Sequence, residues 1–389
     1  MYYTISFLNI DSVTVIKEVF AVRDKPWIFE EYEIEGIPWI SIGNFPTKIH
    51  RLSNFCDVVG FDDIWIKRDD QSSDKYGGNK IRKFEFVLAD ALRKRRKWII
   101  TYGGLGSNQT LAMTIHAKAL GLKTIAVLVD QPITEHVIEN LWLMHYFGAH
   151  ISYAGNTAMA VLKTIWHYLT KRCVYMVPVG ASNPLGTLGY VDAMFELKRQ
   201  VENGEAPMPK YIFIPVGSCG TYAGLLLGKK LLDLDVEIRG IKVTQMKMTS
   251  VKTIVKLANK ALKLLKEHSR EVPSVEISEK DVVLDRGYLG DGYGFPTVEG
   301  LRAMLLMEKT EHIELEPVYT AKALAALIDF AKKEPDGPLL FWNTYNSVDF
   351  SEILKKLDTQ KLPKKIRSVV EREKPMDVEM VKELEQEFH

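Results

Sequence analysis

YIFIPVGSCGTYAGLLLGKKLL (211–232) passes from a strand pattern through a glycine-rich turn into a helical pattern. Its first six residues are apolar without alternation, so a strand built from them is buried on both faces. The same order repeats along the middle of the chain. WIITYG (98–103) precedes a predicted helix at 108–120, TIAVLV (124–129) one at 135–147, and HISYA (150–154) one at 156–171. VYMVPV (174–179) precedes 184–203, and VEIRGIKV (236–243) precedes 250–269. Further helices are predicted at 296–309 and 320–333, followed by a strand at PLLFW (338–342). Apolar strands each followed by a helix specify an α/β fold with two doubly wound domains and mainly parallel sheets. PWIFEEYEIEGIPWI (26–40) reads as extended, hairpin-like structure, and the lysine-rich end from residue 352 as a solvated helical tail packed on the body or a partner subunit.

Bulk properties narrow the function. The chain has 389 residues, 46% apolar and 26% charged, with 51 Lys plus Arg against 50 Asp plus Glu. Near-neutrality supplies no field for a polyanion, so nucleic acid is not an expected partner. No apolar run reaches the roughly 18–20 residues that span a bilayer. The N-terminus lacks the basic region and cleavage site of a secretory signal. Three widely spaced cysteines form no metal or disulfide framework and suit a reducing, cytoplasmic setting.

Ligands of such sheets bind at the carboxyl ends of strands, which directs attention to three loops. GGLGSNQT (103–110) offers three glycines and then Ser107 and Asn108 where helix-capping residues belong, a site suited to an anion. VGSCGTYAG (216–224) offers backbone amides with the Ser218 and Thr221 hydroxyls, a phosphate cradle that fits neither the dinucleotide nor the nucleotide-triphosphate fingerprint. YGGNK (76–80) delivers Lys80 to the start of an amphipathic helix, where desolvation and the helix dipole lower an amine pKa. A nucleophilic lysine beside a phosphate site points to pyridoxal phosphate. No metal site is expected. His145 and His150 lie across a helix end, and the acidic pairs Asp62–Asp63 and Asp69–Asp70 read as solvated turns.

KRDDQSSDKYGGNKIRK (67–83), GGLGSNQT, PVGASNPLGTLGYVDA (178–193), YGFPTVEGLRA (293–303) and EPVYTAKAL (316–324) resemble the 1-aminocyclopropane-1-carboxylate deaminase and D-cysteine desulfhydrase family. The resemblance runs in order from about Gly43 to Phe341. It implies the tryptophan-synthase β-subunit fold (fold type II) and a pyridoxal 5'-phosphate cofactor anchored on Lys80, with Asn79 beside it. By the same resemblance Ser107, Asn108 and Gln109 hold the substrate carboxylate, Asn108 also bonds the phenolic oxygen of the cofactor, and Ser107 lies near the reacting carbon. Gly217, Ser218, Cys219, Gly220 and Thr221 match the phosphate cradle, which runs on to Gly224, and Tyr293 and Tyr319 the substrate face. Fold-type relatives commonly form dimers, so a homodimer is expected.

Two positions set this chain apart. Thr320 stands where the cyclopropane deaminases look to have an acidic partner for the pyridine nitrogen. That weakens the electron sink and favours elimination of a good leaving group such as thiol. Where the family continues His-Thr-Gly-Gly, this chain has FWNTYN (341–346), in which Thr344 keeps the threonine and Tyr345 and Asn346 replace the glycines. The expected function is therefore a D-cysteine desulfhydrase-like lyase giving pyruvate, ammonia and sulfide from a small amino acid. The alternatives are a cyclopropane-substrate deaminase or β-replacement enzyme, and a catalytically weak member that binds cofactor or metabolite and regulates. The expected organisation is an N-terminal extension (1–42), a large cofactor domain (43–83 with 192–350), a small substrate-side domain (84–191) and a charged tail (351–389).

Overall fold

The computed structural model describes residues 24–371 and Leu384. The aromatic stretches of 1–23 and the predicted terminal helix within 378–389 lie outside the described residues, Leu384 apart. Ten strands form two sheets among the described residues. They are β1 (Ile49–Arg51), β2 (Ile64–Arg68), β3 (Trp98–Gly104), β4 (Lys123–Val129), β5 (His150–Gly155), β6 (Val174–Met176), β7 (Tyr211–Val216), β8 (Glu237–Lys242), β9 (Val283–Asp285) and β10 (Leu339–Asn343). One sheet has the order β1-β2-β10-β7-β8-β9 and the other β5-β4-β3-β6. Every pairing is parallel except that of β1 with β2. The longer helices are α1 (Lys80–Arg93), α2 (Asn108–Ala119), α3 (Glu135–Tyr146), α4 (Thr157–Thr170), α5 (Pro184–Glu202), α6 (Gly220–Leu231), α7 (Val251–His268), α8 (Val298–Glu311) and α9 (Thr320–Ala331). This is the α/β architecture with mainly parallel sheets that the strand–helix alternation specifies.

Three segments differ from expectation. PWIFEEYEIEGIPWI forms no hairpin: Trp27–Glu31 is a short helix and the rest is irregular. Other partners take its backbone donors. Ile28 N–H donates to Asp192 Oδ1 (2.9 Å), and Ile40 N–H to the Glu85 carbonyl (2.9 Å). The strand expected over 174–179 stops at Met176, because Pro178 and a left-handed Gly180 (φ +69°) turn the chain. Asp69 and Asp70 are fully buried in a short 3-10 turn, where a solvated turn is expected from their charge. Each carboxylate has its own guanidinium, Arg82 for Asp69 and Arg68 for Asp70.

The polar face of α1 is not solvated either. Arg82, Lys83 and Glu85 are all buried, and each must therefore be paired. Arg82 is enclosed by two carboxylates. Its Nε and Nη2 donate to Asp69 (2.9 and 2.7 Å), its Nη1 and Nη2 to Glu196 (2.7 and 2.9 Å), and Nη2 also to Thr47 Oγ1 (3.0 Å). Lys67 on β2 completes the cluster by bonding Glu196 and Gln200, and Tyr190 donates to Asp69 (2.6 Å). The cluster ties β2, the turn after it, α1 and α5 together directly behind Lys80. Burial alone would raise the Asp69 and Glu196 carboxyls, yet the Arg82 guanidinium holds both below the ordinary carboxylate range.

Replacing Arg82 by methionine leaves two buried carboxylates short of their main partner and is expected to cost about 3–5 kcal/mol, measured by denaturant unfolding. Because both carboxyls are depressed in the folded protein, their contribution is present above about pH 4 and is lost as pH falls through the folded values. Arg82→Met removes the depression and leaves burial to raise Asp69. The fall in stability expected below about pH 4 should therefore be shallower in the variant than in the wild type.

Candidate active site

Four strands converge their carboxyl ends on one place. β2 leads through Asp69–Gln71 to YGGNK, β7 into the 217–221 loop, and β10 lies between them and runs into Thr344–Asn346. From the other sheet, β3 ends in GGLGSNQT.

The loop before Lys80 is held on several sides. Gly78 N–H donates to the Asp69 carbonyl (2.7 Å) and Asn79 N–H to the Thr344 carbonyl (3.2 Å). Gly77 N–H donates to Asn346 Oδ1 (2.6 Å). Gly78 has φ +93°, and a Cβ there would lie 2.5 Å from the Tyr345 carbonyl oxygen, so only glycine fits. The side chains that replace the two family glycines therefore do not crowd this passage. Asn346 bonds Gly77 and the Val348 carbonyl, and Tyr345 turns towards His136 on α3.

Lys80 is half-buried at the first position of α1, its Nζ donating to Asn79 Oδ1 (2.6 Å). Burial pulls its pKa down to about 8, with the charge of Glu316 opposing only in part. A neutral amine is thus accessible near neutrality, which a carbonyl-binding lysine requires. Asn79 Nδ2 donates to Thr221 Oγ1 (3.2 Å) and joins this loop to the cradle.

In the cradle, Ser218 Oγ shares a hydrogen bond with Ser182 Oγ (2.7 Å), and Gly220 N–H donates to the same Ser182 oxygen (3.1 Å). Cys219 adopts a left-handed conformation (φ +71°) that turns its thiol back towards the carbonyls of Met248 and Ser250, away from the loop's concave side. The sequence reading missed Lys83. One helical turn after Lys80, its buried Nζ bonds the Gly180 carbonyl (3.0 Å) and Ser182 Oγ (3.5 Å) and lies against Gly220. Burial, then the charge of Lys80, keeps this ammonium well below its ordinary pKa. No carboxylate is among its hydrogen-bond partners. A buried amine beside the N-terminus of α6 fits a phosphate, whose charge would favour its protonated form, and the K-x-x-K spacing at 80–83 was its signal in the sequence.

Ser107 caps α2, its Oγ accepting from Thr110 N–H (3.4 Å). Asn108 Oδ1 faces three donors, Tyr76 Oη (3.3 Å), His136 Nε2 (2.9 Å) and Asn140 Nδ2 (2.8 Å), which leaves its Nδ2 to donate elsewhere. Gln109 is buried with its side chain bonded to Thr101 Oγ1 (2.9 Å), the Pro178 carbonyl (3.0 Å) and Gly180 N–H. Its side chain is therefore not left to face the helix terminus.

Tyr319 donates to Tyr293 Oη (3.0 Å), and its ring stands 3.3 Å from where a Gly217 Cβ would be. Burial raises both phenols, so both are protonated near neutrality. Thr320 is fully buried, and its hydroxyl is engaged with Glu316 (3.2 Å to Oε1). Glu316, also missed in the sequence, accepts from the backbone N–H groups of Val318, Tyr319 and Thr320 (2.9, 2.7 and 2.6 Å) and so fixes the turn that presents Tyr319.

Residues 40–344 match the family described as pyridoxal-phosphate dependent enzyme. Among solved structures, an ACC deaminase homologue is 30% identical, with a TM-score of 0.71, over 85% of this chain and 99% of its own. An L-serine ammonia-lyase from Rhizomucor miehei (17% identity, TM-score 0.55, 82% and 98% covered) shares the fold. So does the processed form of threonine deaminase isoform 2 from Solanum lycopersicum (15%, 0.54, 89% and 91%). The half-buried lysine of low pKa, the glycine-rich loop with Lys83 beside it and this match over most of the chain lead to one conclusion: the chain belongs to the pyridoxal-phosphate dependent enzymes, in their fold type II class.

Proposed function

We propose that the protein is a lyase that eliminates a β-leaving group from a small amino acid, with cysteine, in its D form, as the leading substrate. The observation that carries this is the EPVYT turn. Its carboxylate, Glu316, is occupied by three backbone donors and the Thr320 hydroxyl, so neither residue supplies a free carboxylate there. A weak electron sink suits a substrate whose leaving group departs easily, as thiolate does.

Lys80 would anchor the cofactor, the 217–221 loop with Lys83 would hold its phosphate, and the Asn108 amide would face its phenolic oxygen. Pyridoxal phosphate, when bound, supplies the electron sink for a carbanion at the substrate α-carbon. The N-terminus of α2, with Ser107, Asn108 and the Gln109 N–H, orients the substrate carboxylate. Lys80 Nζ, with its pKa near 8, takes the α-proton and can return it. Of the hydrogen-bonded pair, Tyr319 is the donor and Tyr293 the acceptor, so Tyr293 is left with its own proton to give to a departing group.

Incubation with D- and L-cysteine, D- and L-serine and the cyclopropane amino acid tests this assignment. Sulfide and pyruvate in equal amounts from D-cysteine are expected, with Lys80→Ala slower by about 10²–10⁴-fold. Activity confined to the cyclopropane substrate, or none on any of the five, would overturn it. The lysine pKa gives a separate measure. When pyridoxal phosphate is added to apoprotein, the rate at which the visible band appears should rise with pH around a midpoint near 8. It should not follow the roughly 10.4 of a free lysine.

A further inference from the structure

Tyr345 and His136 are used neither by the fold nor by the chemistry just described, and they meet at the boundary between the two sheets. Tyr345 follows β10 of the six-stranded sheet, and His136 is in α3, beside the four-stranded sheet. The Tyr345 hydroxyl lies 3.4 Å from His136 Nδ1, and the rings meet edge-on at 5.7 Å. On its other side His136 Nε2 lies 2.9 Å from Asn108 Oδ1, which can only accept. The Asn108 contact selects one tautomer, and the Tyr345 hydroxyl, which can donate or accept, fits it. Nε2 carries the hydrogen and donates to Asn108, and Nδ1 accepts from Tyr345. Burial holds the imidazole at a pKa of about 4, so it is neutral throughout the working range. Asn140 Nδ2 lies 3.0 Å from His136 Nε2 as well, but its two hydrogens are taken by the Gly106 carbonyl (2.9 Å) and Asn108 Oδ1 (2.8 Å), so the pair of donors meets on the Asn108 oxygen.

We propose that Tyr345 and His136 form a hydrogen-bond relay that positions Asn108, holding its carboxamide oxygen inward and its Nδ2–H towards the cofactor's phenolic oxygen. The proposal rests on the placement of Asn108 beside that oxygen. The departure at FWNTYN thereby acquires a purpose, since the tyrosine that replaces a glycine reaches across the sheets and sets a tautomer. Without its hydroxyl, His136 is free to carry its hydrogen on Nδ1. Nε2 then becomes an acceptor facing Asn108 Oδ1, and the amide loses the interaction that fixes its sense. A donor at the phenolic oxygen stabilises its ionised form, so weakening that donor raises the oxygen's pKa.

The test uses holoenzyme without substrate, reading the pH midpoint of the visible cofactor band and the dissociation constant of pyridoxal phosphate. Tyr345→Phe is expected to move the midpoint upward and to weaken cofactor binding by roughly 3–10-fold, the scale of one hydrogen bond. Glutamine at 136 offers an amide donor near the position of Nε2 and has no tautomers. His136→Gln should therefore remain close to wild type, and Tyr345→Phe should be silent in its background. Unchanged readings in Tyr345→Phe, or an unrescued effect in the double variant, overturn the relay. Asn108→Ala separates the relay from the placement beneath it. An unmoved band there defeats the placement of Asn108 and the relay with it. A moved band there, with Tyr345→Phe unmoved, defeats the relay alone.

Discussion

The guanidinium of Arg82, closed between Asp69 and Glu196, is the contact on which the geometry around Lys80 depends. It lies two residues beyond Lys80 on the same helix and bonds the turn that leads into that lysine's own loop. Charges this deep are tolerated only when every donor and acceptor is matched, and matching them leaves little choice of arrangement. Asp69 then serves twice. Its carboxylate takes Arg82 and Tyr190, and its backbone carbonyl takes the amide of Gly78. An electrostatic cluster in the core thereby sets the position of the Lys80 amine.

The parts of the fold visible in the sequence were those with one local signal. Strands β3, β4 and β7 are largely apolar runs, the helices after β3, β4, β5 and β8 begin with a side-chain cap, and each strand and its helix lie within about thirty residues. The elements that were not visible depend on distant partners. β2 reads IWIKR, and a lysine and an arginine inside a five-residue run look like solvent-facing positions. Lys67 is nevertheless buried, because Glu196 and Gln200, far along the chain, receive it. Asp69 misled for the same reason, since Arg82 and Tyr190 receive it, whereas Asp70 pairs with Arg68 two residues before it. The 26–40 segment has a strand's composition, but the Asp192 side chain takes the amide of Ile28 and the Glu85 carbonyl that of Ile40, donors that a hairpin would have paired.

The site divides along the same line. Lys80, Ser107, Asn108 and the 217–221 loop sit at glycine-rich junctions whose local purpose is evident. Lys83, Glu316, His136 and Asn140 look like ordinary helix or turn residues, and their roles appear only where α1, α3 and the EPVYT turn are brought together. FWNTYN posed the opposite problem. As a string it shows only two replaced glycines, whereas in the fold Asn346 holds the Gly77 amide and Tyr345 reaches His136.

The position of β10 bears on how the molecule is made. It is the last strand among the described residues, yet it lies between β2 and β7, and its continuation holds the amides of Gly77 and Asn79. A chain emerging from the ribosome can pair β3, β4 and β5 early, but the cleft around Lys80 lacks one wall until residues near 346 are free. Until then β2 and β7 each present an unpaired edge, the kind of surface that invites misassociation. Lys80 is thus translated early but enclosed late, only after a strand more than 250 residues further along the chain has been made.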